Sequence, residues 1–246
     1  AQLASALAHA HENGVVHRDV KPENVMIRPD GILKLMDFGI AQVRDTQKMT
    51  ETGSLLGSPA HMAPEVIKGD EPDSRADVFS LGTVLYYLVT SCLPFEGKNA
   101  PSVLRAVSEG DYKAPQMRNQ KVGRRLGNAI EKCLTVDPEG RFQSMEILES
   151  ELRTCAEEVG ISKQDLEIKR FFENPSDVGT ELTERIMTTL EIRGAEALRS
   201  RQVARAVDCF NRVLAIDEDH EGVKNMMRLL DSRRRWVRVF LSLIIM

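Results

Sequence analysis

The sequence predicts a mainly α-helical protein with one short β-hairpin near its start and a helical hairpin near its end. Three observations point there. Apolar residues recur at helical spacing along most of the 246 residues. The strand-turn-strand pattern occurs once, around residues 25–35. An uncharged run from Val78 to Leu93 carries Ser80, Gly82, Thr83, Thr90 and Ser91, which suits a helix buried in a protein core better than a membrane span of roughly 20 apolar residues.

Taken in order, residues 1–13 place Leu3, Ala6, Leu7 and Ala10 on one helical face, and Asn13-Gly14 ends that helix. Val25-Met-Ile27 and Leu33-Lys-Leu35 flank Arg28-Pro-Asp-Gly31, a turn sequence between two short strands. From Asp37 to Glu65 apolar residues are few and Ser, Thr and Gly many, the mark of a long functional loop. Ser74-x-x-Asp77 has the form of a capping box opening the buried helix, which runs to about Ser91. Further helices are expected near 99–109, 123–135 and 144–158.

Composition narrows the function classes. Lys and Arg total 33 against 37 Asp and Glu, a net charge of −4, which excludes a generic nucleic-acid binder, since the phosphate backbone selects a large basic excess. With 42% apolar and 28% charged residues the chain is of ordinary globular type. Cysteines 92, 133, 155 and 209 form no C-x-x-C pair and have no histidines at metal-ligand spacing, so a reduced, cytosolic setting is expected.

From about residue 160 the character changes. Pro175-Ser-Asp-Val-Gly179 is expected to break a charged helical stretch. A helical pair follows with Leu190, Gly194, Leu198, Ala206, Phe210, Val213 and Ile216, then Val223, Met226, Leu229 and Leu230. The spacing of Gly194, Ala206 and Phe210 resembles one tetratricopeptide repeat, with Glu218 where a Pro often closes it. Arg233, Arg234 and Arg235 then precede Trp236 and Val239-Phe-Leu-Ser-Leu-Ile-Ile-Met246, the order expected where a cytoplasmic segment enters a membrane. Residues 236–246 reach only about 16 Å as a helix, so they read either as the start of a span or as an amphipathic turn packed on its own domain.

The chemistry lies in the first 65 residues. His17-Arg-Asp-Val-Lys-Pro-Glu-Asn24, Asp37-Phe-Gly39 and Ala63-Pro-Glu65 follow one another in that order. They resemble the catalytic loop, the metal-binding DFG and the APE of protein kinases, and the chain is similar over residues 1–158 to the C-terminal lobe of a bacterial, Hanks-type serine/threonine kinase. About a dozen matched positions, each with a chance of roughly one in 20, exclude coincidence. On this reading residues 159–235 form a helical linker and the repeat-like hairpin, and 236–246 begin a membrane helix.

The resemblance implies roles residue by residue. Asp19 is the catalytic base, Lys21 places a positive charge by the transferring phosphoryl group, and Asn24 and Asp37 hold Mg²⁺, or Mn²⁺. Lys21, Glu23, Asn24, Met26 and Asp37 surround ATP, and Lys21 within Asp-Val-Lys-Pro-Glu-Asn resembles the Ser/Thr branch. His17, Phe38 and Gly39 belong to the supporting structure, Asp77 holds the catalytic loop, and Glu65 pairs with Arg141. Arg18 would receive a phosphorylated activation-loop residue, with Thr50 and Thr52 as the acceptors, while Ser58 contacts the catalytic Asp and Lys. His61 stands where Tyr or Phe is commoner, which bears on peptide preference.

No G-x-G occurs among the sixteen glycines, and the strand Lys and helix Glu of the family are absent. The chain therefore reads as part of a longer kinase, lacking the lobe that covers the nucleotide and weak or inactive alone. Partners implied are protein substrates with Ser/Thr acceptors, the missing lobe, the cytoplasmic face of a membrane reached through the C-terminus, and a second copy for trans-autophosphorylation. The alternative is a non-catalytic, pseudokinase-like interaction module.

Overall fold

The computed structural model describes residues 1–38 and 59–230. Helix α1 (Gln2–Glu12) buries Leu3, Ala4, Leu7, Ala8 and Ala10, and Gly14 follows its end in the left-handed region at φ 72°. Strands β1 (Val25–Ile27) and β2 (Leu33–Leu35) pair antiparallel with Val25 opposite Leu35 and Ile27 opposite Leu33. Their turn closes through Gly31 at φ 83°, whose N–H donates to the Arg28 carbonyl at 2.9 Å. The Gln2 side chain fastens the hairpin to α1, its Nε2 donating to the Gly31 carbonyl at 3.0 Å and its Oε1 accepting the Leu33 N–H at 2.7 Å.

The lobe continues as α2 (Pro64–Lys68), α3 (Ser74–Thr90), α4 (Ala100–Glu109), the short α5 (Pro115–Arg118), α6 (Arg124–Cys133) and α7 (Met145–Glu157). Helix α3 is its axis, with every residue from Ala76 to Val84 buried. One side packs with α1, α6 and α7 around Leu7, Leu81, Cys133, Met145 and Leu148. The other packs around Phe79, Tyr86, Phe95, Ile130 and Leu134, with Phe79 and Phe95 stacked at 5.8 Å. Each such fully buried side chain contributes about 1.5–3 kcal/mol, enough to make the two clusters the main stabilising term of the lobe.

Two local expectations are corrected. The cap of α3 is Asp73, whose carboxylate accepts the Arg75 N–H at 2.8 Å, and not a Ser74 box, because the Asp77 carboxylate is turned inward to other donors. The helix is also not buried throughout, since Tyr87 and Leu88 near its end are exposed.

Beyond the lobe come α8 (Gln164–Glu173), α9 (Pro175–Arg199), α10 (Val203–Ile216) and helical residues 221–230. The helical break is Asn174 alone, and Pro175-Ser-Asp-Val-Gly179 lies inside α9. Proline at the first helical position gives up only an N–H that lacks a partner there anyway. Helices α9 and α10 fold back on each other through three residues and share a third core of Leu190, Ala197, Ala206, Phe210, Val213 and Val223. Gly194 permits the approach, because a Cβ there would lie 2.4 Å from Phe210 Cε1. The pair is tied to the lobe by Arg193, which donates to the Glu157 carbonyl at 3.0 Å, and by Arg212, which donates to the Lys121 carbonyl at 3.2 Å. Among the described residues no helix is long and apolar enough to cross a membrane, and residues 236–246 lie outside them.

Candidate active site

The site is assembled by the loop between α1 and β1. Asp77, fully buried on α3, accepts the backbone N–H groups of His17 and Arg18, each at 2.8 Å, one on each carboxylate oxygen. His11 Nε2 lies 2.8 Å from the same oxygen that His17 uses. These bonds hold Arg18 at φ 66°, a left-handed conformation that a non-glycine residue adopts only when its surroundings impose it. The chain therefore turns sharply one residue before Asp19.

Asp19 is the hub of that turn. Its Oδ2 accepts from Lys21 Nζ at 2.7 Å and from Asn24 Nδ2 at 3.0 Å, and its carbonyl accepts from Asn24 Nδ2 at 2.8 Å. The Asp19 N–H in turn donates to His17 Nδ1 at 3.2 Å. His17 Nδ1 is thus the acceptor, which leaves Nε2–H to donate to the Met36 carbonyl at 2.9 Å. The buried His17 ring lies 4.6 Å from that of Phe38, centroid to centroid.

Asn24 ends the short 3₁₀ turn Pro22–Asn24 and is buried. Its carbonyl accepts the Met36 N–H at 2.9 Å, which carries the β1–β2 pairing one step further and sets Asp37, at φ 55°, beside it. The hairpin register thereby brings the end of one loop and the start of the next together. Since Asn24 Nδ2 is committed to Asp19, its Oδ1 remains as an acceptor, and the exposed Asp37 follows Met36, the residue bonded to the Asn24 carbonyl. Amide and carboxylate oxygens are the donor set that a hard divalent cation prefers, so these residues fit Mg²⁺.

Behind the site, Arg141 is 1% exposed and grips Glu65 with two bonds of 2.7 Å. Its other N–H groups donate to the carbonyls of Thr135, Arg75 and Val136 at 2.7, 3.0 and 2.9 Å. All five guanidinium donors are satisfied. The pair joins α2 to the segment before α7.

Compared with known proteins, residues 1–152 match the family model of the protein kinase domain, well over half of the chain. The chain belongs to the protein kinase domain family. Similar curated proteins include the serine/threonine-protein kinase PrkC of Bacillus subtilis, 36% identical over 154 residues, an alignment covering 63% of this chain and 24% of that protein. The serine/threonine-protein kinase PknB of Mycobacterium leprae is 37% identical over 153 residues, covering 62% and 25%. A probable serine/threonine-protein kinase of Clostridium perfringens is 40% identical over 145 residues, covering 58% and 21%. The chain spans about a quarter of the length of the curated relatives it matches. These likenesses place it among the Hanks-type kinases.

Within this kinase lobe, Asp19, Lys21 and Asn24 form one hydrogen-bonded group, and Asp37 follows Met36, whose N–H donates to the Asn24 carbonyl. Glu23 is exposed, and Met26 is 50% exposed on β1. Arg18 makes no ion pair among the described residues, and Gly39, Thr50, Thr52 and Ser58 lie outside them. Two contacts were not anticipated. His11, six residues before His17, carries no local signal of its contact with Asp77, which arises only when α1 packs near α3. His61 is buried, with Nδ1 2.5 Å from Thr83 Oγ1 and its carbonyl accepting from Ser80 Oγ at 2.8 Å. Burial holds the imidazole below its usual pKa, against the raising effect of the Glu23 and Asp19 charges and with that of Lys21.

Proposed function

We propose that this chain is the catalytic lobe of a serine/threonine protein kinase that transfers the γ-phosphoryl group of ATP to protein hydroxyls. The observation that carries the reading is the division of labour at the Asp19 carboxylate. Lys21 and Asn24 both occupy Oδ2, and among the described residues Oδ1 has no partner. Oδ1 is then the oxygen that orients a substrate hydroxyl and takes its proton as the new O–P bond forms and the bond to the β,γ-bridging oxygen of ATP breaks.

Lys21, fixed on Asp19, sets its charge beside the acceptor and offsets that of the phosphoryl oxygens. Asn24 Oδ1 and the Asp37 carboxylate would hold magnesium or manganese, which supplies the charge that offsets the triphosphate. A scaffold without catalysis has no use for this arrangement, which favours an enzyme over a pseudokinase-like module. The Gly-rich lid and strand Lys of the family are not among these 246 residues, so the activity is assigned to the lobe when a nucleotide-covering lobe is joined to it.

The test joins this chain to the nucleotide-covering lobe of a bacterial relative and follows transfer from radiolabelled ATP to a Ser/Thr peptide. Asp19→Ala is expected to slow transfer by about 10²–10⁴-fold. Asp37→Ala is expected to raise the magnesium concentration needed. Undiminished labelling by the Asp19→Ala protein would overturn the assignment.

A further inference from the structure

The chain carries a net charge of −4, yet a cavity of about 740 Å³ away from the catalytic loop is lined by six arginines. It lies where α6 and the end of α7 meet α9 and α10. Arg124 and Arg125 come from the kinase lobe, and Arg193, Arg201, Arg205 and Arg212 from the helical pair. The acidic residues on its wall are Glu158 and Asp208, and Glu151 pairs with Arg125 from beside it, which leaves three positive charges in excess.

The existing pairings do not absorb that excess. Arg125 is well matched, to Glu151 at 2.6 Å and Glu158 at 3.3 Å. Arg124 reaches Asp208 only at 4.0 Å, and Arg205 reaches Glu158 only at 4.0 Å. Arg193 and Arg212 donate to neutral backbone carbonyls, which satisfy a donor but leave the charge. Arg201 makes no ion pair among the described residues.

Like charges gathered around one cavity repel, and an anion placed among them relieves that repulsion. The guanidinium fork matches phosphate oxygens in bidentate fashion. One phosphate monoester carries only about −1.5 to −2 charges, so a singly phosphorylated side chain would leave about a third to a half of the excess unmatched. The volume lies within the roughly 300–1,000 Å³ of small-molecule sites, and Leu190, Val203 and Cys209 supply apolar wall. We propose that this cavity binds a small, multiply phosphorylated molecule and that, with arginines from both sides, such a ligand fastens the helical pair to the kinase lobe.

The experiment is calorimetric titration of the full 246-residue chain with inorganic tripolyphosphate in EDTA, which suppresses binding through a divalent ion at the catalytic cleft. One site per chain is expected, together with a rise in melting temperature. Arg124→Glu with Arg201→Glu should weaken binding at least tenfold, while circular dichroism shows the variant folded. Asp37→Ala, in the cleft, and Arg105→Glu, on α4 away from the cavity, should leave it unchanged. The proposal fails if tripolyphosphate does not bind, if the double variant binds normally, or if Arg105→Glu weakens binding as much, which would indicate diffuse charge. It also fails if a phosphoserine peptide or an anionic lipid vesicle binds through these arginines more tightly than tripolyphosphate does.

Discussion

Asp77 has no exposed surface and three donors on two oxygens, so its replacement tests how the catalytic loop is held. Asp77→Asn keeps the size but turns an NH₂ group toward either the His17 or the Arg18 N–H. One buried donor is then unsatisfied, at about 1–3 kcal/mol. Urea denaturation should show that loss, and a change within error would mean the loop is held elsewhere. His61 supplies a pH test. Its imidazole is held below the ordinary value of 6.5, chiefly by burial, so below that pH the unfolded chain binds the proton more readily and stability falls as pH falls. Thr83 keeps a partner in His61→Phe, since its hydroxyl donates to the Ser80 carbonyl at 2.6 Å. Between about pH 7 and pH 5 the parent should therefore lose stability more steeply than the His61→Phe protein. Parallel curves would count against a buried neutral His61. The ordered motifs singled out Asp19, Lys21 and Asn24, which hydrogen bonds bring together, but the partners of His11 and His61 lie far along the chain and left no pattern there.

The positions of α1, α6 and α7 were legible because each carries buried residues at helical spacing, whereas the short α2 and α5, with one buried residue each, were not anticipated. Helix ends and contacts were less legible. Asp73 and Ser74 are both good caps, and only the inward turn of Asp77 decides between them. Asp73→Ala should cost about 0.5–2 kcal/mol, whereas Ser74→Ala, which removes no cap, should be nearly neutral. Gly82 shows what periodicity conceals. A Cβ at this position on α3 would stand 2.5 Å from Cys133 Cβ, which is fixed to the backbone of α6 and cannot swing aside, and 3.4 Å from the Cys133 carbonyl carbon. Gly82→Ala gains about 1 kcal/mol of helix propensity. Forcing the two helices apart costs about 1–3 kcal/mol. A lower melting temperature is expected, and an unchanged or higher one would show that α3 and α6 can separate freely.

At the scale of the molecule, the sequence anticipated a lobe followed by a helical pair, but not the arginine-lined cavity between them, because its six arginines come from stretches that look like ordinary charged helix surface. The Glu65–Arg141 pair is the opposite case, recognised from motif order and found joining segments 76 positions apart. Arg141 has every donor satisfied, and its guanidinium lies 5.0 Å from the Phe79 ring centre, so it cannot reach water without disrupting the core. Glu65→Ala strands that cation, and about 3–5 kcal/mol of stability should be lost. Replacing both partners with methionine removes the charge together with its counterion, which can cost far less than breaking the pair. Three carbonyls that now accept from Arg141 would lose their donor, so the double variant should fall between parent and Glu65→Ala. Guanidinium chloride denaturation of the three proteins checks that order. A double variant less stable than Glu65→Ala would mean that the bonds from Arg141 to the Thr135, Arg75 and Val136 carbonyls, and not its ion pair with α2, are its main contribution to stability.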